Sequence, residues 1–403
     1  MPKKNLYIIS EAYPFPQGFG EQFFEKEILE LSKYFDKIYL FPLNVKGKQR
    51  HLPDNVEVNL ALANASRAIS KDYLLRNVFH ALNVIMQEFL HSDKKKFILK
   101  NLRELINSFA QSKYLSGVFY KQIKPAEENY FYSFWMNDGA LLLSILKQQS
   151  KISRFLFRVN GFDLFDDRRK GGYMPFRYFN FKQTSNIVVL SQVGLDYLKK
   201  KDIFPEKLFL NYYGIYDNGS NPFDPSAVFT IVSCSSIIRL KRIDKIANAL
   251  KFVSFPVKWI HFGDGELMNE IKRIAADLPS NIEYIFKGNV SNESVIDTYS
   301  KQSVNLFIHT SDTEGLGLAI IEAQSFGIPA LAVGVGGVLN VVNDETGELI
   351  TLENSPMEIA ERITEFKNSS KNTFQYREKV KNCWSNKFFA KKNYKLLFDK
   401  IVE

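Results

Sequence analysis

The stretch Glu314-Gly315-Leu316-Gly317-Leu318, with Glu322 four residues further on, is the part of this chain best equipped for chemistry. Two glycines just before a helix let its free amide groups come close to an anion, and the helix dipole favours phosphate at that end. A nucleotide diphosphate would suit such a place. Glu322, about one turn into the helix, is positioned to accept hydrogen bonds from ribose hydroxyls, and Glu314, in the loop, from a second polyhydroxyl group such as a sugar. Standing alone, the same spacing describes an ordinary helix start with one surface and one paired glutamate. Other segments reinforce it. An apolar run at 229–233 leads through Cys234 to Lys241, Arg242 and Asp244, so basic side chains stand at a strand end, where Lys241 can neutralise a diphosphate leaving group. Residues 261–266, with Gly263 and Gly265, read as a strand end and a tight turn whose glycines let backbone approach a base or ribose, although such a turn is more often only a turn. Lys287-Gly288-Asn289 and residues 334–337 add two further glycine turns.

These residues need a scaffold to bring them together. In the second half, β-rich apolar runs at 229–233, 257–262, 282–286, 304–309 and 329–333 alternate with helical patterns at 243–252, 267–278, 295–300 and 318–326. That rhythm predicts a parallel α/β sheet with crossover helices, whose ligands sit beyond the carboxyl ends of the strands. The first half opens likewise, with a strand at 6–9, a Pro and Gly loop at 13–20, a helix carrying Phe24, Ile28 and Leu31 on one face, and a strand at 38–41. Residues 66–122 read as mostly helical, with Lys94, Lys95 and Lys96 in the middle, before strand-like 130–134 and 155–159. The Asn-, Gly- and Pro-rich stretch 208–225 marks a domain connection near residue 218. Residues 381–403 read as one aromatic amphipathic helix with Trp384, Phe388, Phe389, Tyr394 and Phe398.

Composition narrows the class. At 403 residues, 45% hydrophobic and 24% charged, the chain is an ordinary folded protein with room for two or three domains. Its two cysteines, Cys234 and Cys383, are far apart, which argues against a disulfide framework or structural zinc and suits a reducing cytoplasm. Lys3 and Lys4 ahead of 6–9 imitate a signal peptide, but four apolar residues fall short of the roughly 7–15 that one needs. No apolar stretch reaches the roughly 18 residues of a spanning helix. The net charge of +9 is uneven: residues 1–215 hold 32 Lys and Arg against 21 Asp and Glu, the remainder 21 against 23. The first half therefore either meets something anionic or carries a solvated basic surface. Nucleic acid is disfavoured, because no helix-turn-helix, zinc or ribonucleoprotein pattern accompanies the lysines and aromatics such as Phe23, Phe24 and Phe398 fall at core spacing. A membrane surface of anionic lipid and a phosphorylated substrate are the remaining anionic candidates.

Taken in order, these motifs resemble the retaining glycosyltransferases of family four, which have the GT-B fold. The resemblance runs through Ser233-Cys234-Ser235 to Lys241-Arg242, Gly263-Asp264-Gly265, Gly288, Glu314 and Glu322, residues 322–329, and Val335-Gly336-Gly337-Val338. It is strong over about 228–351 and thinner before. Gly18-Phe19-Gly20-Glu21 looks like the family's glycine loop facing the sugar nucleotide, and residues 158–163, Arg158 to Asp163, like a central-strand motif of polysaccharide-assembling members.

The resemblance implies two Rossmann-like domains with parallel sheets facing a central cleft. Residues 1–217 would bind the acceptor, with a helical insertion at about 66–122; residues 218–384 would bind the sugar nucleotide; and a helix at 385–403 would cross back. Glu322 would hold the donor ribose, Glu314 the transferred sugar, the backbone of Gly315, Leu316, Gly317 and Leu318 the sugar and diphosphate, and Lys241 the phosphate. Gly18, Gly20, Gly263 and Gly288 would complete the donor site. Two positions depart from the pattern. The arginine that usually partners the lysine falls on Ser236, leaving Arg239 and Arg242 as substitutes, and the histidine often beside the reaction centre falls on Asn160, which cannot act as acid or base.

The chain offers no opposed carboxylate pair of the glycosidase kind, and retaining transferases of this fold use the departing phosphate as the base. Asp163, Asp166 and Asp167 lack the context of a metal site; Asp166 and Asp167 are expected to pair with Arg168 and Arg169 on the surface. No metal or cofactor is expected, only a nucleotide diphosphate sugar as donor substrate. The implied function is transfer of one sugar, with retained configuration, to a lipid-linked glycan acceptor during bacterial surface polysaccharide assembly. That would place the protein in the cytoplasm, at the inner face of the membrane. The rival readings are a sugar-nucleotide epimerase or hydrolase on the same fold, and a nucleotide-sugar-binding protein without catalysis.

Overall fold

The computed structural model of the protein describes residues 3–15, 24–65, 69–125 and 127–403. The chain forms two compact units, one of Met1–Gly214 with Ala390–Glu403 and one of Ile215–Phe389. It leaves the first unit after Gly214 and re-enters it at Ala390, a few residues from the boundaries read at 217 and 384.

In the first unit, the described residues form a parallel sheet of β1 (Lys4–Ser10), β2 (Lys37–Pro42), β3 (Val56–Val58), β4 (Glu128–Ser133), β5 (Leu156–Val159), β6 (Asn186–Val189) and β7 (Leu208–Leu210). Across the sheet they run β3-β2-β1-β4-β5-β6-β7, so the winding reverses between β1 and β4. Both faces of β1 are covered, which is why 6–9 reads as an unbroken apolar run instead of an alternation. The helices are α1 (Phe24–Leu31), α2 (Ala61–Asn64), α3 (Lys71–His91), α4 (Lys95–Lys100), α5 (Leu102–Tyr120), α6 (Asp138–Gln148), α7 (Arg177–Gln183) and α8 (Gln192–Lys201). The helical insertion is α3 to α5. Its inner face closes a small core of its own, in which Ala81, Val84 and Ile85 meet Phe109, Ile145 and Phe179.

The second unit is a six-stranded parallel sheet of β8 (Phe229–Cys234), β9 (Val257–Phe262), β10 (Ile282–Phe286), β11 (Leu306–His309), β12 (Ala330–Val333) and β13 (Gly347–Ile350). The order β10-β9-β8-β11-β12-β13 again reverses at one point, between β8 and β11. In such sheets that reversal opens a crevice at the carboxyl ends of the two strands. Helices α9 (Ile243–Leu250), α10 (Met268–Ala276), α11 (Asn292–Lys301), α12 (Leu318–Ser325), α13 (Pro356–Asn368) and α14 (Phe374–Phe388) cover it. Local chemistry starts α13 firmly: Ser355 and Glu358 form a reciprocal capping box and Pro356 occupies the first turn.

The segment read as one helix over 381–403 is two helices, α14 and α15 (Ala390–Val402). Phe389 interrupts them with extended backbone and pairs with Ile215. Trp384 and Phe388 are buried in the second unit, whereas Tyr394, Leu397 and Ile401 are buried in the first. There Phe398 stacks on Tyr34 at 4.7 Å and meets the edge of Phe35 at 5.3 Å. Gly214 and Ala390 run so close that a Cβ on the glycine would lie 2.3 Å from the Ala390 Cα.

Inside the second sheet, Trp259 Nε1 donates to Ser233 Oγ at 2.9 Å, and Ser233 Oγ lies 2.8 Å from His261 Nδ1. Indole is only a donor, so the serine oxygen accepts from Trp259. Burial pushes the His261 pKa down to about 4, against a hydrogen bond at Ser235 that works the other way. The unfolded chain protonates this ring below about 6.5, so stability is full above that value and is lost as pH falls towards 4. A loss of about 2–3 kcal/mol by about pH 4.5 is expected from this ring. Denaturant melts should show it as a gap between wild type and His261→Phe that narrows with acid; parallel pH profiles would contradict it.

Candidate functional site

Lys241 and Glu314 meet at the point where the second sheet reverses. The chain leaves β8, turns through Ser235 and Ile237, and reaches Arg242, whose φ of 50° is left-handed. It leaves β11 through His309 to Glu314. The two loops are stitched together: Asp312 N donates to the Leu240 carbonyl at 2.9 Å, and Thr310 Oγ1 to the Arg242 carbonyl at 2.8 Å. That stitching sets Lys241 Nζ 2.7 Å from Glu314 Oε2, with His309 Nε2 3.4 Å from the same oxygen. The other carboxylate oxygen accepts from Gly315 N at 3.1 Å. Burial pushes the Glu314 carboxyl up, but His309 and the Lys241 charge outweigh it and hold the pKa at about 2. Glu314 is therefore a fixed carboxylate, an acceptor of hydrogen bonds and not a proton donor.

Glycines shape the rest of the rim. Gly317, with φ 83°, caps α12, a backbone that side chains rarely adopt. Gly336 and Gly337 press on the Glu314 loop so closely that a Cβ on either would lie 2.1 Å from the Glu314 or the Gly315 carbonyl oxygen. Gly337 N donates to the Glu314 carbonyl at 3.1 Å. Leu316 is buried, so its side chain belongs to the core and only its backbone faces the loop. Gly315 and Leu318 are half-buried, with room beside Gly315.

One turn into α12, Glu322 accepts from Asn292 Nδ2 with both oxygens, at 3.1 and 3.2 Å. Burial, aided by the Glu322 charge, pushes the Cys234 thiol up to about 12, so the cysteine is an inert neighbour. Tyr299 lies beside both, its hydroxyl buried without a partner.

Other expected site residues have different company. Arg242 pairs with Asp244 at 3.1 Å and Asp312 at 3.4 Å, whereas Ser236 and Arg239 are exposed. Gly263 and Gly265 sit against neighbouring backbone on the side where a side chain would project. A Cβ on Gly263 would lie 1.9 Å from the Ser235 oxygen and one on Gly265 2.4 Å from the Ile237 oxygen, so these glycines let two strand-end turns pack backbone to backbone. Gly288 joins them, accepting from Gly263 N at 2.9 Å.

Asn160 belongs to the first unit. Its Oδ1 accepts from Tyr213 Oη at 2.8 Å, its backbone N donates to Asp163 at 2.6 Å, and its Nδ2 is buried without a partner. Gly18 and Gly20 lie outside the described residues. Asp166 does not pair with Arg168 or Arg169; its partners are Arg177 at 2.5 Å and Lys201 at 2.6 Å, half-buried between α7 and α8. Arg168 and Arg169 lie over the rings of Phe165 and Phe162 instead. Among the described residues no three His, Cys, Asp or Glu side chains are grouped to hold a metal ion. The sequence reading missed His309, Asn292 and Tyr213; His309 closes a strand and Asn292 opens a helix, and only their spatial partners distinguish them.

Residues 224–383 match the family described as Glycosyl transferases group 1, so most of the second unit is a domain of that kind. An uncharacterized glycosyltransferase of Methanocaldococcus jannaschii is 27% identical over 136 residues, 32% of this chain and 35% of that one. A GDP-mannose-dependent monoacylated alpha-(1-6)-phosphatidylinositol monomannoside mannosyltransferase of Corynebacterium glutamicum is 24% identical over 129 residues, 30% of this chain and 33% of that one. The chain thus matches about a third of the length of these relatives. An Anabaena protein solved with UDP and glucose superposes with a TM-score of 0.65 and 15% identity, over 99% of both chains. The fold is that of the GT-B glycosyltransferases.

Proposed function

We propose that the protein is a retaining glycosyltransferase that moves one sugar from a nucleotide diphosphate donor to a lipid-linked glycan in bacterial surface polysaccharide assembly. One observation carries the reading: Lys241 and Glu314 converge from two strand ends at the sheet's reversal point, beside the glycine-capped start of α12. A diphosphate at α12 would meet free backbone amides, the positive end of the helix and the Lys241 ammonium. Glu322 would take the ribose hydroxyls in place of Asn292, and Glu314 the hydroxyls of the sugar.

Departure of the sugar leaves negative charge on the β-phosphate, which Lys241 and the amides stabilise as it develops. A carboxyl with pKa about 2 is too weak a base to activate an acceptor hydroxyl, so Glu314 does not suit an inverting or hydrolytic step. The departing phosphate oxygen is then the base, and attack from the same face retains the configuration. Asn160 has no proton to give or take, so the proposed step draws none from it. The mannosyltransferase acting on a phosphatidylinositol mannoside supports a lipid-linked acceptor, and the Anabaena complex supports a nucleotide sugar as donor.

Calorimetry with UDP, GDP and ADP on wild type and Glu322→Gln tests the donor site. One nucleotide should bind selectively, and the substitution should weaken it roughly tenfold, the loss of a charge-assisted hydrogen bond or two. Folded protein that binds none of the three would defeat the proposal. Release of nucleotide from its sugar without acceptor would indicate a hydrolase or epimerase.

A further inference from the structure

Helix α3 is apolar on two faces, and the fold accounts for one of them. Ala81, Val84 and Ile85 are buried in the insertion's own core. On the outside, Leu75, Phe79, Leu82, Met86 and Leu90 are exposed, Phe79 at 81%, Leu75 at 67% and Leu90 at 63%. Their spacing confines them to an arc of about 80° and a length of about 22 Å on the helix surface. Isolated exposed apolar residues are ordinary, but a continuous stripe marks a surface that something covers. Basic side chains accompany it. Arg76 on α3 and Lys95, Lys96, Lys100 and Arg103 just beyond its end are exposed, as is Leu99 among them. The exposed acids between residues 71 and 104 are Asp72, Asp93 and Glu104, and Asp93 lies 3.4 Å from Lys94.

We propose that this stripe docks on an anionic lipid bilayer, with α3 lying in the plane of the interface. An amphipathic helix with exposed apolar side chains and a cationic neighbourhood fits the boundary between headgroups and acyl chains, where the lysine stems reach back to the phosphates. Among the described residues no helix is long and apolar enough to cross a membrane, so the contact is with one face only. A second copy of the chain suits the stripe less well. Its flanks carry Arg76, Asn83 and Gln87, and Asp72 is the one exposed acid on α3, too little opposite charge to select a helix partner. The inference rests on the lipid-linked acceptor of the proposed function and gives it a surface.

Co-sedimentation with phosphatidylcholine vesicles, with and without phosphatidylglycerol, tests it on the full chain. Wild type should bind the anionic vesicles, and a Leu75→Gln, Phe79→Gln, Met86→Gln variant should lose roughly tenfold or more in affinity. Because these residues are exposed, the variant should keep its melting temperature and its nucleotide binding. Lys95→Gln with Lys96→Gln and Lys100→Gln should lose the preference for phosphatidylglycerol, and a Trp at position 79, in Phe79→Trp, should shift its emission to the blue on anionic vesicles. The proposal fails if wild type stays in the supernatant or if the stripe variant sediments like wild type. It also fails if the stripe variant merely converts a dimer to a monomer in sedimentation velocity, which would make a second copy the occupant. Failure with nucleotide binding and transfer to a soluble acceptor intact would leave the transferase reading standing; loss of those two in wild type would remove that reading instead.

Discussion

Lys241→Met is expected to slow sugar transfer roughly 10²–10³-fold, the cost of removing one group aimed at charge that develops in the transition state. The unliganded geometry adds a second, less obvious expectation. Lys241 is held 2.7 Å from Glu314, so a diphosphate must draw the ammonium away from an existing partner. Glu314→Gln should therefore tighten binding of the bare nucleotide diphosphate by roughly twofold to fivefold, the modest worth of a partly solvated ion pair. The same substitution should lower kcat, because the sugar loses its carboxylate. Opposite signs for nucleotide affinity and turnover in one variant would be hard to obtain from misfolding. In the double variant the losses in kcat should fall well short of their product, since the two groups act on one donor. Turnover within twofold of wild type in Lys241→Met would end the assignment of this lysine to the phosphate.

The largest expected effect on stability lies in the first unit. Arg158, on β5, is fully buried and bonded on every side: 2.7 Å to Glu27, 3.1 Å to Tyr132 Oη, and 2.9 Å to the Asn211 carbonyl. The ring of Tyr213 lies 4.9 Å from the guanidinium. Arg158→Met leaves the buried Glu27 carboxylate without its cation, and a cost of about 3–5 kcal/mol follows. Arg158→Met with Glu27→Met should recover most of it, because the expense is the uncompensated charge. Denaturant unfolding of the three variants checks this; a single variant within about 1 kcal/mol of wild type would mean that the pair carries no such weight.

The sequence made the scaffold of the second unit legible, because strands buried on both faces read as unbroken apolar runs and the helices between them bury one stripe each. What escaped was short or polar. Val56–Val58 and Gly347–Ile350 are edge strands of three and four residues, each with a glutamate inside, and nothing in such a stretch separates strand from loop. The break at Phe389 has neither Pro nor Gly to announce it, and aromatic residues continue on both sides because both helices are anchored by them. Lys241 and Glu314 were readable as chemistry, yet their mutual contact was not, since 73 residues separate them and only the strand order brings them together. The glycines at 263 and 265 were recognised as requirements of the backbone, but which backbone they accommodate is a fact of packing.

The return of the chain at Ala390 bears on the order in which the protein is made. A ribosome that has delivered residue 389 has supplied everything the second unit needs, while the first still lacks α15 and with it the aromatic cover of Tyr34 and Phe35. During synthesis the earlier-made unit is therefore the later one to be finished. Until α15 is in place, that unsealed aromatic surface is what a chaperone would find.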